Sequence, residues 1–280
     1  MSAGGVTGSL RPERVYPVCS GDMPAVKGLI LDLNGTLYFR ERVLDGAAEA
    51  VAALRERGLE LRFMTNTDTK TRGELQELIA GYGLNLPERD LYSAAHATYQ
   101  YLKTNGYTFT GLLPQSLEAD FARFRCEAGE HPDCVLVGEN RAAVSYASLD
   151  EMFGYLMEGA ELVVMQPGRH YFLADGPHLD TGSFGALFEY ATGKPATVMA
   201  KPSLGFFQMV LKDMKLKCGE VVVVGDDIST DIAGAARLGA KSVLVKTGKY
   251  QNGDEFLSNV RPDLVIGSVA ELIEALNERL

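Results

Sequence analysis

Two rhythms of hydrophobic and polar positions alternate along this chain. Residues 26–31 form a short, continuously apolar run that ends at Asp32, the pattern of a strand buried on both faces. Residues 43–57 then carry Ala47, Val51 and Leu54 at helical spacing, with Asp45 as the expected N-cap and Gly58 as the stop. Residues 59–64 predict a second strand, ended by Thr65-Asn66-Thr67. Asp68 or Thr69 is placed to cap a helix carrying Leu75, Leu78 and Ile79. A brief strand at 91–93 and a helix at 94–104 follow.

The rhythm loosens after Tyr107. Strands are predicted at 108–113, 134–138 and 162–166, with a short helix at 116–124, a polar loop at 126–133 and a helix at 148–158. A last short strand at 171–174 is bounded by Pro167-Gly168 and Asp175-Gly176-Pro177. Regular alternation then returns: helices at 184–192, 203–214, 231–238 and 269–280, and strands at 196–200, 220–224, 242–245 and 263–266. Repeated β-α pairs with helix-length crossovers predict an α/β fold with a doubly wound, Rossmann-like parallel sheet. The middle segment has its own alternation and predicts a smaller α/β unit. The expected division is a core from 25–95 and 181–280, an insert from 96–180, and a disordered tail at 1–24.

Composition narrows the function classes. The chain has 280 residues, 46% apolar and 23% charged, with a formal charge of −10. That acidity argues against a nucleic-acid or anionic-membrane surface, which would need a basic stripe. No apolar run reaches the length of a membrane span, and the tail has no apolar signal-like region. Cys19, Cys126, Cys134 and Cys218 form no CxxC pair, as expected of reduced thiols in a cytoplasmic protein.

Candidate chemistry sits at four predicted strand ends. Asp32 follows the first, Thr65 the second, Lys201 the strand at 196–200, and Asp226-Asp227 the strand at 220–224, with Asp231 close behind. If all four strands share one parallel sheet, these groups lie along one edge and converge. Carboxylates crowded with one ammonium at such an edge suit a Mg²⁺ and phosphate site, because a hard dication relieves their repulsion. Thr65 can donate to a phosphoryl oxygen, Lys201 can neutralise one, and backbone N–H groups after Asp32, loosened by Gly35, can cradle the rest. Asp32 is then placed to attack phosphorus and form an aspartyl-phosphate. There is no GxxxxGK[ST] loop and no GxGxxG after a strand, which removes the main nucleotide-site alternatives.

The order Asp32-Leu33-Asn34-Gly35-Thr36, Thr65-Asn66, Lys201-Pro202 and Gly225-Asp226-Asp227 with Asp231 resembles the four motifs of the haloacid dehalogenase superfamily. Three further stretches, at 63–67, 186–193 and 245–250, resemble its subgroup with a large α/β cap inserted between the second and third motifs. The nearest resemblance is to the haloacid dehalogenase-like domain-containing proteins and the phospholysine, phosphohistidine and inorganic pyrophosphate phosphatases. It implies Asp32 as nucleophile and, with the Asn34 carbonyl, Asp226 and Asp227, as Mg²⁺ ligand. Asp231 is implied as a supporting group, Lys201 and Thr65 as phosphate binders, and Asn66 as a weaker one. The insert becomes a cap that closes over a small phosphorylated molecule. Arg169, His170 and Tyr171, after a strand and a Pro-Gly turn, are placed either to reach a substrate or to form a surface loop, and caps of this size often serve as homodimer surfaces in the resembling group.

One position departs from the pattern. Most phosphatases of the superfamily carry a second Asp where this chain has Asn34, and Asn cannot shuttle the leaving-group proton. Loss of such help costs ~10²–10⁴ in rate. Four readings stay open: slow turnover, restriction to good leaving groups such as phosphoramidates, acyl phosphates or pyrophosphate, a binding protein on the same scaffold that does not turn over, or an engineered Asn in place of a native Asp.

Overall fold

The computed structural model describes residues 25–127 and 129–279. The expectations for the tail at 1–24, Cys19 included, lie outside the described residues. Six strands build the larger sheet, in the order Leu264–Ile266, Lys241–Val245, Val221–Gly225, Gly28–Asp32, Glu60–Thr65 and Leu91–Ser93. Every neighbouring pair in it is parallel. The strand order turns back at Gly28–Asp32, which lies between Glu60–Thr65 and the later Val221–Gly225. A crevice therefore opens at the carboxyl end of the Gly28–Asp32 strand.

Alternate residues of that strand face two separate apolar layers, which explains its unbroken hydrophobic run. Leu29 and Leu31 pack with Val51, Leu54, Leu75 and Ile79 of the helices Ala47–Glu56 and Arg72–Gly81. Ile30 packs with Leu102, Phe206, Phe207 and Val210 from the helices Ala94–Asn105 and Leu204–Met214. Each wholly buried Leu or Phe in these layers contributes roughly 1.5–3 kcal/mol of transfer free energy.

A second, four-stranded parallel sheet is inserted between Leu91–Ser93 and Val221–Gly225, in the order Thr197–Val198, Glu161–Val164, Cys134–Val137 and Phe109–Leu112. The helices Tyr146–Glu158 and Thr181–Thr192 cover one face through Met152, Leu156 and Phe188. Phe109, Leu136 and Val163 on the other face join the apolar cluster of Ile30 and Met64.

Several local features differ from the pattern-based expectation. The Thr197–Val198 strand, expected in the larger sheet, pairs with Glu161–Val164 of the smaller one. The Thr181–Thr192 helix packs against the smaller sheet as well, beyond the expected limit at 180. A helical period carries no mark of the sheet it will cover. Ala174-Asp175 is the turn of an antiparallel hairpin, His170–Leu173 with Gly176–Leu179, so the strand expected at 171–174 is one arm of a pair. Gly46 and not Asp45 precedes the first helix. Thr71, in a capping box with Glu74, caps the helix that Asp68 or Thr69 was expected to start. Asp68 is thereby released for another contact.

Among the described residues no helix is long and apolar enough to cross a membrane. Early in the Ala94–Asn105 helix, burial and then the charge of Arg72 push the His96 imidazole down to about 4. Its depressed value means that the stability of the neutral ring is present above the unfolded value near 6.5 and is lost as pH falls towards 4. Wild type should therefore lose Tm relative to His96→Gln as pH falls from 7.5 to 5, measured by thermal melts of both. A difference that does not vary with pH would contradict this.

Candidate active site

Asp32 is the last residue of the central strand, and its carboxylate is buried in the crevice. Thr36 Oγ1 donates to Asp32 Oδ2 at 3.2 Å. The Lys201 ammonium, only 3% exposed as a residue, donates to Asp32 Oδ1 and, at 2.7 Å, to Asp231 Oδ1. Burial disfavours the Lys201 ammonium, but the negative charges of Asp231 and Asp32 outweigh it and hold the ammonium above its usual range. Lys201 thus arrives from the end of the smaller sheet's edge strand, while Asp32, Thr65 and Asp226 follow strands of the larger sheet. The expectation that one sheet supplies all four is corrected in this respect, although the groups do converge.

Carboxylate oxygens of Asp32, Asp226 and Asp231 all lie within 4.8 Å of one another, and all three residues are buried. Burial is the largest influence pushing the Asp226 and Asp231 carboxyls upward. Asp32 adds to it at both positions. Such crowding of hard oxygen donors fits a hard dication, which would offset the repulsion. Among the described residues, Asp32, Asp226 and Asp231 are the carboxylates placed to hold one.

Asp227 lies apart from this group. Its carboxylate accepts from the Ser229 N–H at 2.9 Å and hydroxyl at 2.6 Å, and from Lys249 Nζ at 3.3 Å. Burial raises it, but Ser229 and Lys249 prevail and hold it below the usual carboxylate range. Asp231 takes the inner place instead, where it also accepts from the Asp227 N–H at 3.2 Å.

Thr65 and Asn66 divide their work. Thr65 is buried, faces the cavity and shares a 3.0 Å hydroxyl contact with Thr67. Asn66, expected beside phosphate, instead uses both ends of its amide on the Lys201 backbone: Nδ2 donates to the carbonyl at 3.0 Å, and Oδ1 accepts from the N–H at 2.9 Å. Asn66 therefore locks the Lys201 peptide against the loop that carries Thr65. Of the N–H groups after Asp32, those of Gly35, Thr36 and Leu37 are used inside the turn on the carbonyls of Tyr38 and Leu33.

Above these groups is a cavity of about 1090 Å³, walled by both units. Asn34 is exposed at its edge. Arg169 and His170 of the insert line it, whereas Tyr171 stacks on His178 and accepts from Arg141.

A family model described as haloacid dehalogenase-like hydrolase matches residues 29–123, and one described as HAD-hydrolase-like matches residues 198–272. Over 260 residues the chain is 35% identical to the phospholysine phosphohistidine inorganic pyrophosphate phosphatase of Danio rerio, covering 91% of this chain and 95% of that protein. The chain belongs to the haloacid dehalogenase-like hydrolases. It is also 31% identical to haloacid dehalogenase-like hydrolase domain-containing protein 2 of Mus musculus, covering 91% of this chain and 98% of that one. Among solved structures, p-nitrophenyl phosphatase from Archaeoglobus fulgidus superposes with a TM-score of 0.81 at 25% identity, covering 90% of this chain and all of that one (100%). NagD from E. coli K-12 gives 0.80 at 26%, covering 89% and 98%. The inserted unit of this hydrolase is accordingly its cap.

A further turn of the hydrolase supports the site, with a role that the motif pattern did not disclose. Thr247 Oγ1 donates to the Gly35 carbonyl, and the Lys249 N–H donates to Asp226 Oδ2 at 2.6 Å. Gly248 between them has φ +59°, and a Cβ there would overlap the Asp226 carboxylate and Gly35 Cα. The signal was positional: this turn follows Lys241–Val245, another strand ending on the same sheet edge. Gly248→Ala should weaken divalent-ion binding about 10- to 100-fold by displacing Asp226. Calorimetric titration with Mg²⁺ measures this directly, and an unchanged affinity would exclude the turn from ion binding.

Proposed function

We propose that this hydrolase is a Mg²⁺-dependent phosphatase of small molecules in which Asp32 carries the phosphoryl group as an aspartyl-phosphate. The observation that carries this reading is the buried Lys201 ammonium, held against both Asp32 and Asp231 at the switch-point crevice. A buried cation beside a strand-end carboxylate suits an incoming dianion, and the neighbouring carboxylates suit an ion that bridges to it. Bound Mg²⁺ would offset the carboxylate charge and polarise the phosphoryl oxygens.

The chain's own groups then act in order. Lys201 and Thr65 bind phosphoryl oxygens and turn the phosphorus towards Asp32. An Asp32 oxygen bonds to phosphorus while the bond to the leaving group breaks. Water then adds to phosphorus, the acyl-phosphate P–O bond breaks, and phosphate departs with Asp32 restored. The cap wall, with Arg169 and His170, covers the substrate and limits bulk water.

Asn34 selects among leaving groups. It sits at the cavity edge without a titratable proton, so an alkoxide from an ordinary ester gains no acid assistance there. Phosphoramidates, whose nitrogen can leave already protonated, and pyrophosphate, whose leaving group is a phosphate, need little. Relatives bearing the phospholysine, phosphohistidine and pyrophosphate names support this choice.

A Mg²⁺-containing panel of phosphoramidate, acetyl phosphate, pyrophosphate, p-nitrophenyl phosphate and an alkyl phosphate tests the assignment. The wild type should favour the first four by ~10²-fold or more in kcat/KM, and Asn34→Asp should raise alkyl ester turnover by a similar factor. Asp32→Asn should lose at least ~10³-fold on all of them. A silent wild type awakened by Asn34→Asp would favour a phosphoryl-ligand binding protein, and retained activity in Asp32→Asn would remove Asp32 as nucleophile.

A further inference from the structure

Asp68 stands three residues beyond Thr65 on the loop that leaves the Glu60–Thr65 strand. It is buried and caps no helix. Its Oδ2 accepts a 2.8 Å hydrogen bond from Thr181 Oγ1, the first residue of the cap helix Thr181–Thr192, also buried. The bond joins the two units. Nearby, Ser116 Oγ donates across the same divide to the Thr69 carbonyl at 2.6 Å.

The Thr181 end of this bond belongs to a rigid block. Asp180 accepts from the Thr181 N–H at 2.8 Å and from Gln166 Nε2. Gln166 Oε1 in turn accepts from the Gly168 N–H at 2.6 Å. Ser183 Oγ and the Asp180 N–H both donate to the Arg169 carbonyl. A side chain on Gly182 would overlap the Pro167 backbone, so the helix start and the wall at 166–169 are packed without slack. That wall carries Arg169 and His170 over the cavity.

We propose that Asp68 is a positioning residue that fastens the cap's cavity wall to the loop carrying Thr65, and that its ionisation loosens the closed site. The assignment of what the wall covers rests on the phosphatase reading; the fastening itself does not. Burial sets the direction: it pushes the Asp68 carboxyl up to about 7. The Thr181 hydrogen bond opposes the rise, and the charges of Asp180, on the same cap block, and Glu139, after the Cys134–Val137 strand, add to it. In an opened state Asp68 meets water and titrates near 4. The closed state therefore holds the proton more tightly. Closure is strongest at low pH, weakens as pH rises through the window between about 4 and 7, and changes no further above it.

Amide hydrogen exchange across residues 164–172 of the full-length protein, corrected for intrinsic pH effects, reads the fastening without any need for turnover. In wild type, protection should fall by up to tenfold per pH unit between pH 5 and 7 and then level off. Asp68→Asn keeps an acceptor for Thr181 and cannot ionise, so its profile should be flat at the protected level. Thr181→Val should lose at least about tenfold in protection at pH 5.5 with far-UV circular dichroism unchanged. A wild-type slope that persists in Asp68→Asn, or full protection in Thr181→Val, would overturn the proposal; if Thr181→Val fails to fold, the Asp68→Asn slope decides alone. With p-nitrophenyl phosphate at fixed pH, Thr181→Val should raise KM more than it lowers kcat. Absence of turnover in every variant would count against the phosphatase reading, and the exchange profiles would still decide the fastening.

Discussion

Three carboxylates and one ammonium are packed where little water reaches, and the Lys201 ammonium is what makes that arrangement tenable. Breaking a buried ion pair by removing one partner typically costs ~3–5 kcal/mol, because the other charge is stranded. Here a single cation bonds two of the three carboxylates, and the remaining one, Asp226, is steadied by a backbone N–H. Burial and the charge of Asp32 push the Asp226 and Asp231 carboxyls towards their protonated forms. On the proposed reading a positive ion would draw those protons off and an anionic ligand would offset the ion, so each would lower the cost of binding the other.

The surrounding loops can be understood as devices for keeping that cluster in register. Asn66 grips the Lys201 peptide from the second strand end, Asp227 turns outward to Ser229 and Lys249, and the 247–249 turn ties Gly35 to Asp226. Most of these bonds connect backbone to side chain. They fix position without adding further charge to a place that already has an excess. The same economy appears at the cap, where one neutral hydroxyl, Thr181, meets the one buried carboxyl that the helix cap at Thr71 left unclaimed.

Strand periodicity and Gly-Pro punctuation made the doubly wound core legible, because a strand buried on both faces has no alternative pattern. Asp32, Thr65 and Asp226 were legible as strand-end residues for the same reason, whereas Lys201 follows a half-buried edge strand of the smaller sheet. What stayed hidden was partnership. Nothing in residues 196–200 tells which sheet their strand joins, and nothing in Asn66 or Asp227 tells whether a polar side chain faces ligand or neighbouring backbone. Asp68 was misread because Thr71 is an equally good cap three residues later, and only the three-dimensional competition between them settles the matter. The hairpin at 170–179 was lost because Asp175-Gly176-Pro177, which runs from its turn into its second strand, also reads as a terminus.

Asn34 has a consequence of a different order. Its side chain stands exposed at the cavity rim, outside every apolar cluster of the fold, while its neighbours Leu33, Gly35 and Thr36 are sealed in. Selection acting on those neighbours must answer to folding as well as catalysis. At position 34 the two are less tightly coupled, because the side chain packs in no apolar cluster. On the proposed reading, a lineage built on this scaffold would shift its preference among ester, amide and anhydride substrates of phosphate by one codon step at a position that the core does not constrain.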